Sequence, residues 1–240
     1  MQTLFISDLH LEDSRPQITE ILVSFLRGAK RSADALYILG DLFEFWIGDD
    51  FLTETARLVA EELSALRKVG IPCYFQHGNR DFLLGEQYAS LAGMALLPET
   101  HVIDLHGTPT LLLHGDTLCT DDAGYQAFRQ QVRRPSFRDQ FLGMPVQQRL
   151  DMARNARDAS RQHTSTAPVE IMDVNLDAVS MAFSVAGVER MIHGHTHRPA
   201  FHDHQLAHGR LGQRLVLADW YTTGSYLRVD RTGFEQLPLG

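Results

Sequence analysis

Five short polar clusters hold the side chains able to do chemistry: Asp8-Leu9-His10, Gly40-Asp41, Gly78-Asn79-Arg80-Asp81, His114-Gly115-Asp116 and Gly194-His195-Thr196-His197. Asp8, His10, Asp41, Asn79, His114, His195 and His197 together offer more nitrogen and oxygen donors than one tetrahedral ion uses. The inventory therefore points to two metal ions. A donor set without thiolate suits manganese, iron or zinc and disfavours copper(I) and iron–sulfur clusters. A carboxylate can bridge two ions, and Asp41 is the residue expected in that role. Two ions about 3.5–4 Å apart can activate a hydroxide and stabilise both oxygens of an in-line displacement at phosphorus. Arg80, directly after Asn79, offers a planar cation that can grip a phosphate and neutralise growing charge.

Each cluster follows a short apolar run suited to a buried strand: Thr3–Ile6, Ala35–Leu39, Cys73–Phe75, Thr110–Leu113 and Met191–Ile192. Val102–Leu105 and Leu215–Leu217 read as two further strands. Ligand sites gather at the carboxyl ends of strands in open α/β sheets, and the glycines suit a chain that turns sharply beside a ligand. Helical spacing appears in Ile18, Ile21, Leu22, Phe25 and Leu26, and again in Leu58, Val59, Leu63 and Leu66, which stop at Gly70 and Pro72. Asn175 can cap a helix through Ala186, with Gly187 just beyond. Alternating strands and helices, then mostly strands, predict an α/β layered fold in one domain over residues 1–240.

Residues 122–169 stand apart as a predicted helical cap insertion, broken by Pro135 and Pro145 into two or three helices. Eight arginines face three aspartates between residues 125 and 165, so the formal charge of −8 divides into +5 there and −13 elsewhere. An acidic body argues against a nucleic-acid partner. Two separated cysteines, Cys73 and Cys119, exclude a disulfide scaffold and read as small buried residues. Neither a signal peptide nor a spanning apolar run is present, so a cytoplasmic location is expected.

The donor pattern resembles that of the calcineurin-like metallophosphoesterase superfamily, D-x-H, G-D, G-N-H-D/E, H and G-H-x-H, in order from Asp8 to His197 with one departure. That resemblance implies an αββα sandwich, with one ion on Asp8, His10, Asp41 and His197 and the other on Asp41, Asn79, His114 and His195. Arg80 stands where the superfamily usually has a histidine general acid. Gly-Asn-Arg-Asp-Phe at 78–82, Gly-Asp-Leu-Phe-Glu-Phe-Trp-Ile-Gly-Asp-Asp at 40–50, His-Gly-Asp-Thr-Leu-Cys-Thr-Asp-Asp at 114–122 and Ile-His-Gly-His-Thr-His-Arg-Pro at 192–199 are similar to the UDP-2,3-diacylglucosamine diphosphatases of lipid A biosynthesis.

This closer resemblance implies two Mn²⁺ per chain and a lipid-linked nucleotide substrate, attacked at the α-phosphorus to give UMP and 2,3-diacylglucosamine 1-phosphate. It implies catalytic roles for Asp41, Asn79, Arg80 and His195, and substrate contacts at Asn79, Arg80, Asp122, Ser160, Thr164 and His195. The lysine common in that family is Ala167 here, and Arg157 or Arg161 is the expected substitute. A cap with an apolar interior and arginines at its mouth would suit two acyl chains and a pyrophosphate. It would also suit peripheral binding to the cytoplasmic face of the inner membrane. No obligatory protein partner is evident. The alternative is a metallophosphoesterase for cyclic or dinucleotide phosphates, which would not need the cap.

Other residues carry blander expectations. Asp81 and Asp116 are expected to orient ligand histidines or Arg80. Phe43, Phe45 and Trp46 suit the acyl site or the core equally, and Asp49 and Asp50 a loop end or an arginine partner. His77, His101, His106, His163 and His193 are assigned no role. His202, His204 and His208 read as a solvated polar loop.

Overall fold

A computed structural model describes the backbone of residues 2–166 and 171–239, and their side chains apart from those of residues 163–166 and 208. In chain order the elements are β1 (Gln2–Ile6), α1 (Pro16–Ala29), β2 (Ala35–Leu39), α2 (Glu54–Lys68), β3 (Cys73–Gln76), α3 (Glu86–Ala92), β4 (Met94–Leu96), β5 (Thr100–Leu105), β6 (Thr108–Leu113), α4 (Ala123–Val132), α5 (Pro135–Leu142), α6 (Val146–Thr166), α7 (Leu176–Ala186), β7 (Arg190–His193), β8 (Ala200–Gln205), β9 (Leu211–Val216), β10 (Gly224–Asp230) and β11 (Gly233–Leu239).

The strands form two sheets, ordered β11-β10-β1-β2-β3-β4 and β5-β6-β7-β9-β8. Period-two alternation explains their stacking. Phe5, Leu39, Leu112 and Ile192 meet between the sheets, with Leu215 and Leu227. Their neighbours Leu4, Ile6 and Ile38 face outward onto α1, α2 and α3, in a cluster with Leu22, Val59 and Leu63. Leu111, Leu113 and Met191 face the other way, onto Val179 and Phe183 of α7. The result is a helix–sheet–sheet–helix sandwich. β1, β2 and β3 run as apolar strings because helices cover one face and the second sheet the other.

Local signals place the helix ends. The Asn175 side chain accepts from the backbone N–H groups of Asp177 and Ala178, and Gly187 closes α7 in the left-handed region at φ 67°. Pro135 sits in the first turn of α5, where its missing N–H costs nothing, and Arg134 before it is extended.

One loop expectation is corrected. His202 and His204 lie on β8, an edge strand paired antiparallel with β9, and His204 Nε2 accepts from Arg214 Nε at 3.1 Å. The polar sequence of β8 reflects its half-solvated edge position, where alternation replaces the apolar run. No helix among the described residues is long and apolar enough to cross a membrane.

Candidate active site

The clusters after β1, β2, β3, β6 and β7 converge where the carboxyl ends of these strands meet. Backbone bonds knit the turns together. Asp8 N–H donates to Gly40 O (3.1 Å), His10 N–H to Asp41 O (3.0 Å) and Gly194 N–H to His114 O (2.8 Å). Two contacts join the sheets directly: His195 N–H donates to Asp8 Oδ2 at 2.9 Å, and the His114 Nδ1–H donates to Leu39 O at 2.8 Å.

Strain collects here. Among the described residues, six that are not glycine have positive φ, and five of them are Asp8 (56°), His10 (50°), Asp41 (51°), His195 (66°) and His197 (54°). Each such backbone costs about 1–3 kcal/mol, so its concentration on proposed donors marks a functional centre. The glycines answer to close approach. A Cβ at Gly78 would collide with the Asp41 carboxylate, and one at Gly194 with the Asp8 carboxylate.

All seven proposed donors come together. His10 Nε2 and His197 Nε2 lie 3.3 Å apart, and His197 Nε2 is 3.3 Å from Asp8 Oδ1. Asn79 Oδ1 sits between His114 Nε2 at 3.0 Å and His195 Nδ1 at 2.9 Å, and Asp41 Oδ1 lies 3.7 Å from His114 Nε2. Ligand atoms of Asp8, His10 and His197 form one group within 4.8 Å, and those of Asp8, Asp41 and His114 another. Burial would raise the Asp8 carboxyl, but His197, His114 and His10 hold it well below the usual range. Burial and the neighbouring His114 lower His195 to about 4, which leaves its ring neutral and able to offer a lone pair. Lone-pair atoms crowded from two sides, without a thiol, fit a pair of divalent cations.

Carboxylates hold this cluster, but not in the expected way. Asp81 does not orient a histidine or Arg80. It accepts from the backbone N–H groups of Leu42 (2.7 Å), Gly78 (2.9 Å), Asp41 (3.3 Å) and Phe43 (3.4 Å), and so pins two ligand loops together. Asp116 accepts from Tyr125 Oη and Arg129 Nε, each at 2.7 Å, and holds α4 against the site. The carboxylate facing a ligand ring is Glu44, whose Oε2 is 3.2 Å from His10 Nδ1. Its signal was a lone charge inside the apolar run Leu42-Phe43-Glu44-Phe45-Trp46-Ile47. Tyr221 was also missed; its ring lies parallel to His10 at 5.2 Å and edge-on to His197 at 5.3 Å.

Much of the arginine stripe ties the cap helices to the body. Arg149, 2% exposed, donates from Nη1 to Ile47 O at 2.6 Å and pairs with Asp50. Arg157 Nε donates to Glu44 Oε1 at 2.8 Å, and Arg133 Nη2 to Gly78 O at 2.9 Å. Asp49 instead accepts from Trp46 Nε1 and the backbone of Gly85 and Tyr88.

Two cavities meet at Glu44, Asn79, Arg80, Tyr125, Arg157 and Ser160. One, of about 660 Å³, is a polar cleft over the donor cluster, and Asp122 lines it. The other, of about 560 Å³, lies beneath the cap helices, lined by Trp46, Phe82, Phe128, Val132, Phe137 and Phe141 among others. At the junction, Arg80 Nε and Arg157 Nη1 are buried with no hydrogen-bond acceptor among the described residues. Arg80 Nε comes no closer than 3.7 Å to Asp41 Oδ2. Asp122, Ser160, Arg80 and Asn79 thus border one space, while the Thr164 side chain and Ala167 lie outside the described residues.

The sandwich and its converging donors define a metallophosphoesterase centre, and the chain belongs to the calcineurin-like phosphoesterase family, whose model matches residues 1–199. Its relatives include the UDP-2,3-diacylglucosamine hydrolases of Stenotrophomonas maltophilia, 54% identical over 98% of this chain and 97% of theirs, and of Xanthomonas campestris pv. campestris, 53% identical over the whole of both chains. The protein of that name from Xanthomonas oryzae pv. oryzae is 52% identical, again over both full lengths.

Proposed function

We propose that the chain hydrolyses the pyrophosphate of UDP-2,3-diacylglucosamine to UMP and 2,3-diacylglucosamine 1-phosphate. The observation that carries this reading is the junction. Two guanidinium groups, each with one buried nitrogen that has no acceptor among the described residues, stand between an apolar chamber and a cluster of metal-type donors. A substrate that fits must carry anionic charge at its centre and hydrocarbon on one side, as the named substrate of the relatives does.

Asp8, His10, Asp41 and His197 would hold one Mn²⁺, and Asp41, Asn79, His114 and His195 the other. When bound, such ions lower the pKa of water towards neutrality and offset phosphate charge. Arg80 and Arg157 grip the pyrophosphate oxygens, and Arg80 neutralises the charge that grows as the bridging P–O bond breaks. Asn79 and His195 fix the position of the phosphorus, with Asp122 and Ser160 on the sugar side. The chamber takes the acyl chains and keeps bulk water from that side.

Peripheral attachment to the cytoplasmic membrane face follows from the same chemistry. Phe128, at the edge of the chamber, is 50% exposed, and Arg154 and Arg161 of α6 are exposed beside Asp151 and Asp158, so the apolar side chain is the main support for attachment. The test of function is incubation with Mn²⁺ and UDP-2,3-diacylglucosamine, scored by UMP release. Turnover of bis(p-nitrophenyl) phosphate without UMP release from the lipid would overturn the substrate reading. Flotation with anionic vesicles at low salt tests attachment.

A further inference from the structure

Beneath the donor turns lies a buried cation that the proposed chemistry does not use. Arg214 of β9 is 5% exposed and has no carboxylate partner among the described residues; Asp173, whose charge reaches it, is paired with Arg198. A buried guanidinium held only by neutral groups is costly, so its presence needs a reason. Its Nε–H donates to His204 Nε2 at 3.1 Å, and its Nη1–H to His193 Nε2 at 3.2 Å. A guanidinium has donors and no acceptor, so His193 Nε2 must offer a lone pair, and the proton of the neutral ring must sit on Nδ1. That proton is donated to Gly194 O at 2.8 Å, out of reach of solvent. The same carbonyl accepts from Thr196 N–H at 2.8 Å. The N–H at the other end of this peptide is that of His195, and it donates to Asp8 Oδ2 at 2.9 Å. The peptide that opens the donor turn is thus held at both ends. The His193 ring is also wedged against the neighbouring turn: a Cβ on Gly115, next to His114, would fall 2.7 Å from His193 Nδ1.

We infer that Arg214 is a positioning residue for the His195 turn: by donating to His193 Nε2 it selects the Nδ1–H tautomer that holds the Gly194–His195 peptide in place. With the proton on Nε2 instead, the Nδ1 lone pair would face the Gly194 carbonyl oxygen, and the two would repel. The peptide would turn away and take His195 and its bond to Asp8 with it. His204, on the edge strand β8, completes the chain by accepting the second guanidinium N–H. This rests on Asp8 and His195 being metal donors, and it asks nothing of the substrate.

The experiment reads tautomer and metal affinity on the full chain. Long-range ¹H–¹⁵N spectra of the metal-stripped protein report which ring nitrogen carries the proton, and His193→Phe identifies the His193 signals by their loss. Wild type should show His193 as Nδ1–H. Arg214→Lys, which keeps a donor, should show the same form, and Arg214→Met should shift the ring towards Nε2–H. Calorimetric titration with Mn²⁺ should find Arg214→Met weaker by about tenfold, the low end of losing an outer partner of a metal site, and Arg214→Lys close to wild type. A wild-type His193 protonated on Nε2 would overturn the inference. So would an Arg214→Met variant with the tautomer unchanged, or one whose tautomer shifts while Mn²⁺ affinity stays at the wild-type level. Unchanged Mn²⁺ affinity in His195→Ala would instead overturn the donor role of His195, and the ring spectrum would still decide whether Arg214 sets the tautomer.

Discussion

Glu44 stands 3.2 Å from His10, carboxylate Oε2 against ring Nδ1, with both side chains nearly sealed from solvent. Burial would lift the Glu44 carboxyl, but His10, Arg80 and Arg161 hold it below its ordinary value. Its other oxygen is gripped by Arg157 of α6, so one carboxylate ties a proposed metal ligand to the cap. A carboxylate on the far nitrogen of a ligand histidine fixes tautomer and ring orientation, and its loss weakens metal binding by about 10–100-fold. Glu44→Gln should show a loss of that order when metal-stripped protein is titrated with Mn²⁺ by calorimetry. Arg157→Ala should shift affinity in the same direction but less.

Asp41 is the donor shared by the two proposed ions, and His114 lies 3.7 Å from it. Asp41→Ala and His114→Ala should each lower turnover by about 10²–10³-fold, as loss of a principal transition-state stabiliser does. Circular dichroism should report an intact fold. Near-normal rates in either variant would exclude the two-ion account.

The chamber sets the response to acyl length. Ala156 lines it and is solvent-accessible, so a larger side chain can enter without disturbing the core. Ala156→Phe should raise KM for the diacylated substrate several-fold more than KM for bis(p-nitrophenyl) phosphate, a compound without chains. Parallel changes in the two constants would place the chains elsewhere.

Arg149 is the buried anchor of α6. Arg149→Ala leaves the Ile47 carbonyl unpaired and loses a charged hydrogen bond, which costs about 2 kcal/mol. Because Asp50 is 58% exposed, water resolvates it and limits the loss. Urea unfolding should show the change, and limited proteolysis should cut first within the cap helices.

Burial pushes the thiols of Cys73 and Cys119 up to about 12. Thiolate is the reactive form. At pH 8 the folded protein should therefore react negligibly with a disulfide reagent, while both thiols titrate after denaturation. Rapid labelling of the native chain would contradict this burial.

Helix limits were legible wherever a local interaction sets them, as with Asn175 and Gly187 around α7 or Pro135 at α5. Four strands, β4, β8, β10 and β11, were not. β10 pairs with β1 across more than two hundred residues, and β4 and β11 are edge strands with weak patterns. β8 was mistaken for a loop because half of an edge strand faces water.

The proposed donor set was legible in the sequence, because a phosphoesterase centre needs particular side chains directly after strands, with glycine wherever another backbone or carboxylate passes close. Asp8, His10, Asp41, Asn79, His114, His195 and His197, proposed as donors from type and position, are brought together by the fold. Only the tertiary structure decided what supports them. Glu44 rather than Asp81 or Asp116 faces a ligand ring, and arginines that read as a cationic mouth are drawn inward as tethers. A charged group's role depends on which opposite charge or orphan carbonyl it meets after burial, and those partners, such as Arg149 and Ile47, lie about a hundred residues apart.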